Sequence, residues 1–192
     1  MSNDPIVRFK ELLSQAEKAG IQLHNAAALA TTGNDRQPAA RMVLLKDADA
    51  AGFVFYTNLE SRKARQLDEN PRAALCFWWP QLQRQVRVEG RVELVGDSEA
   101  DEYFAGRPRG SQIGAWASPQ SCELTSRDEL VAAVTSFATK FQDRSVPRPP
   151  YWSGYRLVPD KIEFWKEQPD RLHDREVYSR QATGWKITLV AP

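Results

Sequence analysis

Gln85-Val86-Arg87-Val88-Glu89-Gly90-Arg91-Val92-Glu93-Leu94 alternates between two chemistries along its whole length. Val86, Val88, Val92 and Leu94 share one side of an extended chain, while Gln85, Arg87, Glu89, Arg91 and Glu93 share the other, because successive strand side chains point to opposite faces. One face is core and the other is polar or site-facing, as in an antiparallel sheet with unlike sides. Gly90 breaks the run of valines and marks a bulge.

Working outward, apolar runs bounded by turn residues predict strands over 26–32, 38–46, 52–57 and 73–79, with Gly33-Asn34-Asp35 as a turn. A short helix is expected over 61–69, stopping near Asn70-Pro71, and another over 98–105. The chain opens on a helix with Asp4 as N-cap, Pro5 in the first turn, a stripe of Ile6, Phe9, Leu12, Leu13 and Ala16, and Gly20 as its end. Ser126 and Glu129 have capping-box spacing before Leu130, Val131, Val134, Phe137, Ala138 and Phe141 at helical intervals. Three prolines make 143–150 an extended connection. Further short strands are expected over 155–190, with Ala182-Thr183-Gly184 as a hairpin turn. Many short strands with helices inserted between them suggest a closed or partly closed antiparallel barrel, since closure removes exposed edges. Residues 1–192 read as one domain.

The 192 residues, 42% hydrophobic and 10% aromatic, can bury a sizeable core. A net charge of +1 provides no general field for nucleic acid or an anionic membrane, so anion binding must come from local clusters. Cys76 and Cys122 fit no CxxC or Cys/His spacing, and no disulfide framework or metal site is expected. No apolar run approaches a membrane span, and Met1-Ser2-Asn3-Asp4 lacks a signal-peptide core, so a cytoplasmic protein is expected. No GxSxG elbow, P-loop or GxGxxG fingerprint occurs.

Local clusters are present. Arg41 and Lys46 lie in one predicted strand, on opposite faces unless a bulge intervenes; Arg41 either pairs with a carboxylate or serves a site. Tyr56-Thr57 leads into Ser61-Arg62-Lys63 at a helix start, which is either a solvated first turn or a phosphate cradle. Tyr103 and Arg107 are four apart at a helix end, and Pro108 turns the chain to present Ser111. This is either a half-buried tyrosine with a loose C-terminal cap or a second phosphate site. His173, between Arg171 and Arg175, is a proton-handling group, a donor to a ligand, or a turn histidine.

Taken in order, Arg41 to Lys46, Phe55-Tyr56-Thr57-Asn58, Ser61-Arg62-Lys63, Arg84-Gln85-Val86, Arg107-Pro108-Arg109-Gly110-Ser111-Gln112-Ile113-Gly114-Ala115-Trp116, Gln120-Ser121, Ile162-Glu163-Phe164-Trp165 and Arg171-Leu172-His173-Asp174-Arg175 resemble the pyridoxine/pyridoxamine 5'-phosphate oxidase family nearly end to end. The resemblance implies an α+β fold: an antiparallel six-stranded split β-barrel with flanking helices, of the FMN-binding split-barrel type. It also implies a homodimer with FMN at the subunit interface. By likeness, Arg41, Met42, Val43, Leu44, Leu45, Lys46, Tyr56, Thr57, Arg62, Lys63, Gln85, Gln120, Ser121, Trp165 and Arg175 match FMN-binding positions. Lys46, Tyr103, Arg107 and Ser111 match holders of the substrate phosphate, and Arg171, Leu172 and His173 match positions beside the pyridine ring, with Arg171 and His173 orienting the reacting carbon. The implied activity is oxidation of pyridoxamine 5'-phosphate and pyridoxine 5'-phosphate to pyridoxal 5'-phosphate with O2, giving hydrogen peroxide, and ammonia from the amine. Other readings are a related flavoenzyme, such as the phenazine-biosynthesis branch, and a non-catalytic flavin or pyridoxal phosphate carrier. Family members often carry a longer basic N-terminal arm that can fold over the substrate. Little precedes the first helix here, which leaves substrate closure and the balance between the two vitamers open.

Overall fold

The fold is described from a computed structural model covering residues 4–192, so the polar start Met1-Ser2-Asn3 lies outside the described residues. In chain order the elements are α1 (Pro5–Lys18), β1 (Ala26–Thr32), β2 (Pro38–Leu44), β3 (Asp47–Asp49), β4 (Gly52–Asn58), α2 (Arg62–Glu69), β5 (Arg72–Trp79), β6 (Arg84–Leu94), α3 (Asp97–Ala105), α4 (Arg109–Ala117), α5 (Arg127–Lys140), β7 (Trp152–Lys166), β8 (Asp174–Arg180) and β9 (Trp185–Leu189). The strands form one antiparallel sheet, ordered β2-β1-β5-β6-β7-β4-β3, with β8 and β9 continuing from the far part of β7. β2 and β4 lie far apart in that order yet approach each other, so the sheet curls into a split half-barrel. The six strands β1, β2, β4, β5, β6 and β7 make the expected wall, and β3, β8 and β9 extend it.

β6 behaves as its alternation demands. Val86, Val88 and Val92 are buried in the barrel, while Leu94, expected to join them, is exposed at the strand end. The ladder between β6 and β7 shifts register at Glu89 and Gly90. Asp160 on β7 is the residue skipped, so Gly90 marks the bulge from the partner strand rather than supplying the extra residue. A Cβ on Gly90 would sit 2.0 Å from the Val158 carbonyl oxygen, so this close approach requires glycine.

Helix α1 closes the core. Asp4 caps it, its carboxylate accepting from the Ile6 N–H at 2.8 Å, and Phe9 enters the barrel edge-on to Phe53 and Phe77, each 4.9 Å away. Burying a ring of that size contributes about 1.5–3 kcal/mol. Trp79, also buried, spends its indole N–H on the His24 carbonyl at 2.7 Å, which satisfies the one polar atom a buried tryptophan carries.

Several boundaries differ from the sequence reading. β2 ends at Leu44, two residues early, because Leu45 N–H turns to the Asn25 carbonyl and Lys46 N–H to Val54. The region expected as several short strands holds two, β8 and β9, after one long strand of fifteen residues, β7, which pairs with β4 over its first residues, with β6 along most of its length and with β8 at its end. The hairpin at 182–184 is present, with Gly184 at φ 74°. Ser126 precedes α5, but its side chain makes no cap bond. Glu129 instead accepts from Thr125 N–H and Oγ1 at 3.1 and 2.9 Å, shifting the box by one residue. The α5 stripe is largely uncovered, with Val131 and Val134 exposed and only Phe141, just beyond the helix, buried. The stretch after Pro108 is helical (α4), although two glycines obscured its periodicity. Among the described residues no helix is long and apolar enough to cross a membrane.

Candidate functional site

The start of α2 gathers the first cluster. Lys63 Nζ donates to Thr57 Oγ1 (3.0 Å), Ser61 Oγ (3.2 Å) and Gln120 Oε1 (2.5 Å), while Arg62 N–H donates to Ser121 Oγ at 3.2 Å. Ser121 has φ 72°, a left-handed turn that brings Gln120 and Ser121 back against the helix start. Arg41 reaches the same corner from β2, donating to Thr31 Oγ1 (2.6 Å), the Leu29 carbonyl (3.0 Å) and, more weakly, Gln66 Oε1 (3.4 Å). The carboxylate partner considered for Arg41 is therefore replaced by neutral acceptors. Among the described residues no acid pairs with Arg41, Arg62 or Lys63. Burial first, and the Arg41 charge second, bring Lys63 down to about 8, and burial together with Arg62 lowers Arg41. Free N–H groups at a helix start beside uncompensated cations form an anion site.

The second cluster lies in a cleft of about 690 Å³ between the outer face of β4, the first residues of β7, and helices α3 and α4. Lys46, Tyr103, Arg107 and Ser111 line it together, as the sequence reading required, and Thr57 and Gln120 from the first cluster line it too. Tyr56 stacks on Tyr103 (centroids 3.9 Å, 8° between planes) and on Trp152 (5.3 Å, 6°). Burial raises the Tyr56 phenol to about 12, so it remains a neutral hydroxyl. The Arg107 guanidinium carbon lies 4.6 Å from the centre of the Trp152 ring, and its Nη1 is buried with no hydrogen-bond partner among the described residues. A buried donor without an acceptor costs about 1–3 kcal/mol, which a bound anion would recover.

Arg171, Leu172, His173 and Arg175 lie elsewhere. None of them lines the cleft. They follow β7, where a tight turn holds Asp170 and Arg171 at φ 55° and 62°. His173 Nδ1 accepts the Gln168 N–H at 3.2 Å, and its ring lies 4.5 Å from Trp165. Arg175 spends three of its N–H donors within the chain: Nε and Nη2 donate to Glu163 (2.9 and 3.1 Å) and Nη1 to the Ala191 carbonyl (2.9 Å). Arg87 also binds Glu163, and these two guanidinium groups hold that buried carboxyl below its ordinary range despite burial. Gln85 pairs across from Trp165, and Trp78 contacts Trp165 at 5.8 Å. Trp152 in the cleft and Trp165 beside His173 stand near opposite ends of β7.

Among Met42, Val43, Leu44 and Leu45, only Leu44 lines the cleft. Leu45 is buried, Val43 packs on the core and Met42 is exposed on the outer face. Trp152 was not singled out from sequence, although the unusual number of tryptophans hinted at a flat wall. Thr31 and Gln66 were also unmarked, because their roles depend on contacts distant in the chain.

A split barrel carrying one cationic cluster in a cleft and a second bonded to that cleft's wall through Thr57 and Gln120 defines the class of protein. The chain belongs to the pyridoxamine 5'-phosphate oxidase family: residues 13–141 match the family model "Pyridoxamine 5'-phosphate oxidase", and residues 152–192 match "Pyridoxine 5'-phosphate oxidase C-terminal dimerisation region". It is 57% identical over 189 residues to a pyridoxine/pyridoxamine 5'-phosphate oxidase of Myxococcus xanthus, covering 98% of this chain and 92% of that one. A protein of the same name from Anaeromyxobacter dehalogenans is 53% identical, covering 98% and 96%. Among solved structures, PhzG of Burkholderia lata in complex with tetrahydrophenazine-1-carboxylic acid superimposes with TM-score 0.94 at 34% identity, covering 100% and 94%. An FMN-binding protein of Nostoc punctiforme related to pyridoxamine 5'-phosphate oxidase shares the fold at TM-score 0.78 and 16% identity, covering all of both chains.

Proposed function

We propose that this protein oxidises pyridoxamine 5'-phosphate and pyridoxine 5'-phosphate to pyridoxal 5'-phosphate in an FMN-dependent reaction. Oxygen is the acceptor and hydrogen peroxide the by-product, with ammonia also released from the amine. The observation carrying this reading is that one cleft is lined by Lys46, Tyr103, Arg107 and Ser111 and also by Thr57 and Gln120, the two side chains through which Lys63 of the second cationic cluster is bonded to its wall. Two phosphate monoesters, one on the cofactor and one on the substrate, need two such sites.

The residues fit FMN. Lys63, Arg62 and Arg41 lack acidic partners, and the depressed Lys63 would regain its full charge beside a phosphate. Bound FMN would supply the two-electron chemistry, accepting a hydride from the vitamer C4' and passing the electrons to oxygen. Lys46, Arg107 and the hydroxyls of Tyr103 and Ser111 bind the substrate phosphate, each charge-assisted hydrogen bond contributing about 1.5–3 kcal/mol. Arg171 and His173 orient the pyridine ring, and His173 can hold or release a proton at the C4' substituent. The long strand between those residues and the cleft favours a homodimer in which each site takes Arg171 and His173 from the second copy. The matched dimerisation region supports the same arrangement. Arg175, held in place by Glu163 and Ala191, contributes its charge and its two remaining N–H donors from a fixed position.

A second reading, a flavoenzyme acting on a phosphate-free ring compound, draws on the close superposition with PhzG. It leaves Lys46, Arg107 and Ser111 without a task. Anaerobic mixing of FMN-loaded protein with each vitamer decides between them. Bleaching of the oxidised-flavin absorbance that recovers with oxygen, with pyridoxal 5'-phosphate formed, is expected; no bleaching despite stoichiometric FMN would refute the vitamer assignment.

A further inference from the structure

Trp152 and Gly154 stand on the same outer face of β7, opposite Asn58 and Tyr56 of β4. A Cβ on Gly154 would fall 2.8 Å from both Cδ1 and Cε1 of Tyr56 and 3.0 Å from a Val95 methyl. The Tyr56 ring therefore lies folded across the strand at the one place where no side chain lifts it away. In that position it runs nearly parallel to Tyr103 and Trp152, whose own planes differ by 2° at 6.2 Å. The platform ends on Arg107, held over the Trp152 face at 4.6 Å and beside the Phe104 ring at 5.5 Å. A guanidinium stacked this way keeps its plane fixed while its edge stays available for hydrogen bonding. Lys46 completes the group 5.9 Å from the Tyr103 ring centre. None of the bonds holding Lys63, Thr57 and Gln120 passes through this stack.

We infer that Trp152 and Gly154 are positioning residues for the substrate-phosphate end of the cleft. Gly154 seats Tyr56, Tyr56 aligns Tyr103 against Trp152, and Trp152 carries Arg107, so the phosphate meets a pre-set phenol and guanidinium. Neither Trp152 nor Gly154 supplies a hydrogen bond of its own to the ligand. The inference rests on the vitamer reading above and adds to it a source of selectivity for a phosphorylated substrate that acts from beneath the binding groups.

The test compares wild type, Gly154→Ala, Trp152→Leu and Trp152→Phe as FMN-loaded proteins. FMN affinity is measured by fluorescence quenching, binding of pyridoxal 5'-phosphate by absorbance titration, and turnover of pyridoxamine 5'-phosphate by steady-state kinetics. Gly154→Ala and Trp152→Leu should raise KM and the pyridoxal 5'-phosphate Kd tenfold or more, with kcat and FMN affinity within threefold of wild type. Trp152→Phe, which keeps an aromatic face, should bring KM back to within threefold. Combined with Arg107→Met, Trp152→Leu should have little additional effect on KM, because it acts through that arginine. Unchanged KM in Gly154→Ala and Trp152→Leu, or additive effects with Arg107→Met, would overturn the positioning role while leaving the vitamer reading intact. Parallel losses in FMN affinity and substrate affinity would mark a general packing defect and overturn it as well. Failure of the wild-type protein to bind pyridoxal 5'-phosphate would remove the vitamer reading and this inference together.

Discussion

Lys63 shows how a single side chain records a missing counter-charge. Its amine is held by three neutral oxygens beside Arg41, and its pKa falls to about 8. Between that value and the ordinary 10.5, the unfolded chain binds more protons than the folded one, so stability rises with pH. Measured without FMN, wild type should gain about 1–2 kcal/mol relative to Lys63→Met between pH 7 and pH 10, after discounting for partial solvent screening. Urea titrations at the two pH values check this, and a constant difference would contradict it. The same residue should separate binding from chemistry. Lys63→Ala is expected to lose FMN on dialysis while retaining reduction in what remains bound, whereas Arg171→Ala keeps FMN but is reduced by pyridoxamine 5'-phosphate about tenfold more slowly or worse. Stopped-flow absorbance beside a flavin-content assay distinguishes the two, and equal effects in both assays would end this division of roles. Sequence reading found Lys63 and Arg171 because cations beside hydroxyls or a histidine are unusual neighbours. It could not find Trp152, since nothing local to that residue announces a ring placed beneath Arg107, a residue distant in the chain.

At the scale of elements, β6 and β7 carry most of the architecture. The β6 alternation placed its valines correctly because period-two geometry acts on each residue without reference to the rest of the chain. Where the bulge falls is a property of the pair: Asp160 is skipped, and Gly90 accommodates the Val158 carbonyl. Gly90→Ala should therefore cost about 2 kcal/mol or more, as overpacking against backbone does. Chemical denaturation of the variant measures it, and a loss below ~0.5 kcal/mol would mean the strands shift freely at this point. Helix α4 escaped sequence reading because glycines at 110 and 114 weaken its helical signal, while its burial against neighbouring aromatics overrides that weakness. The length of β7 was not legible in the sequence, where only short strands were expected over 155–190; the bulge at Asp160 keeps Trp152 to Lys166 within one strand.

For the whole molecule, the proposed function needs the cleft and the His173 turn to meet, although His173 does not line the cleft of its own chain. The outer sheet face offers a route, since Met42, Leu44 and Trp78 are exposed on it, near Gln85, Trp165 and Arg175. The arrangement proposed here is a two-fold dimer that pairs such faces, so that each cleft would take Arg171 and His173 from the other copy. Complementation tests this directly. Arg107→Met and Arg171→Ala chains, each nearly inactive alone, should after subunit exchange recover roughly a quarter of wild-type activity, because half the dimers then hold one site with both residues intact. No recovery, with exchange verified by mass, would place the whole site within a single chain. The sequence by itself determined the strand alternation, the barrel class, the two cationic clusters and the family, because periodicity and residue chemistry act locally and in order along the chain. Only the tertiary structure decided that Thr57 and Gln120 share a cleft with Lys46 and Arg107, that Glu163 occupies Arg175, and that Trp152 underlies Arg107. Those relations join residues far apart in sequence, and curling the sheet is what brings them within hydrogen-bonding and stacking distance.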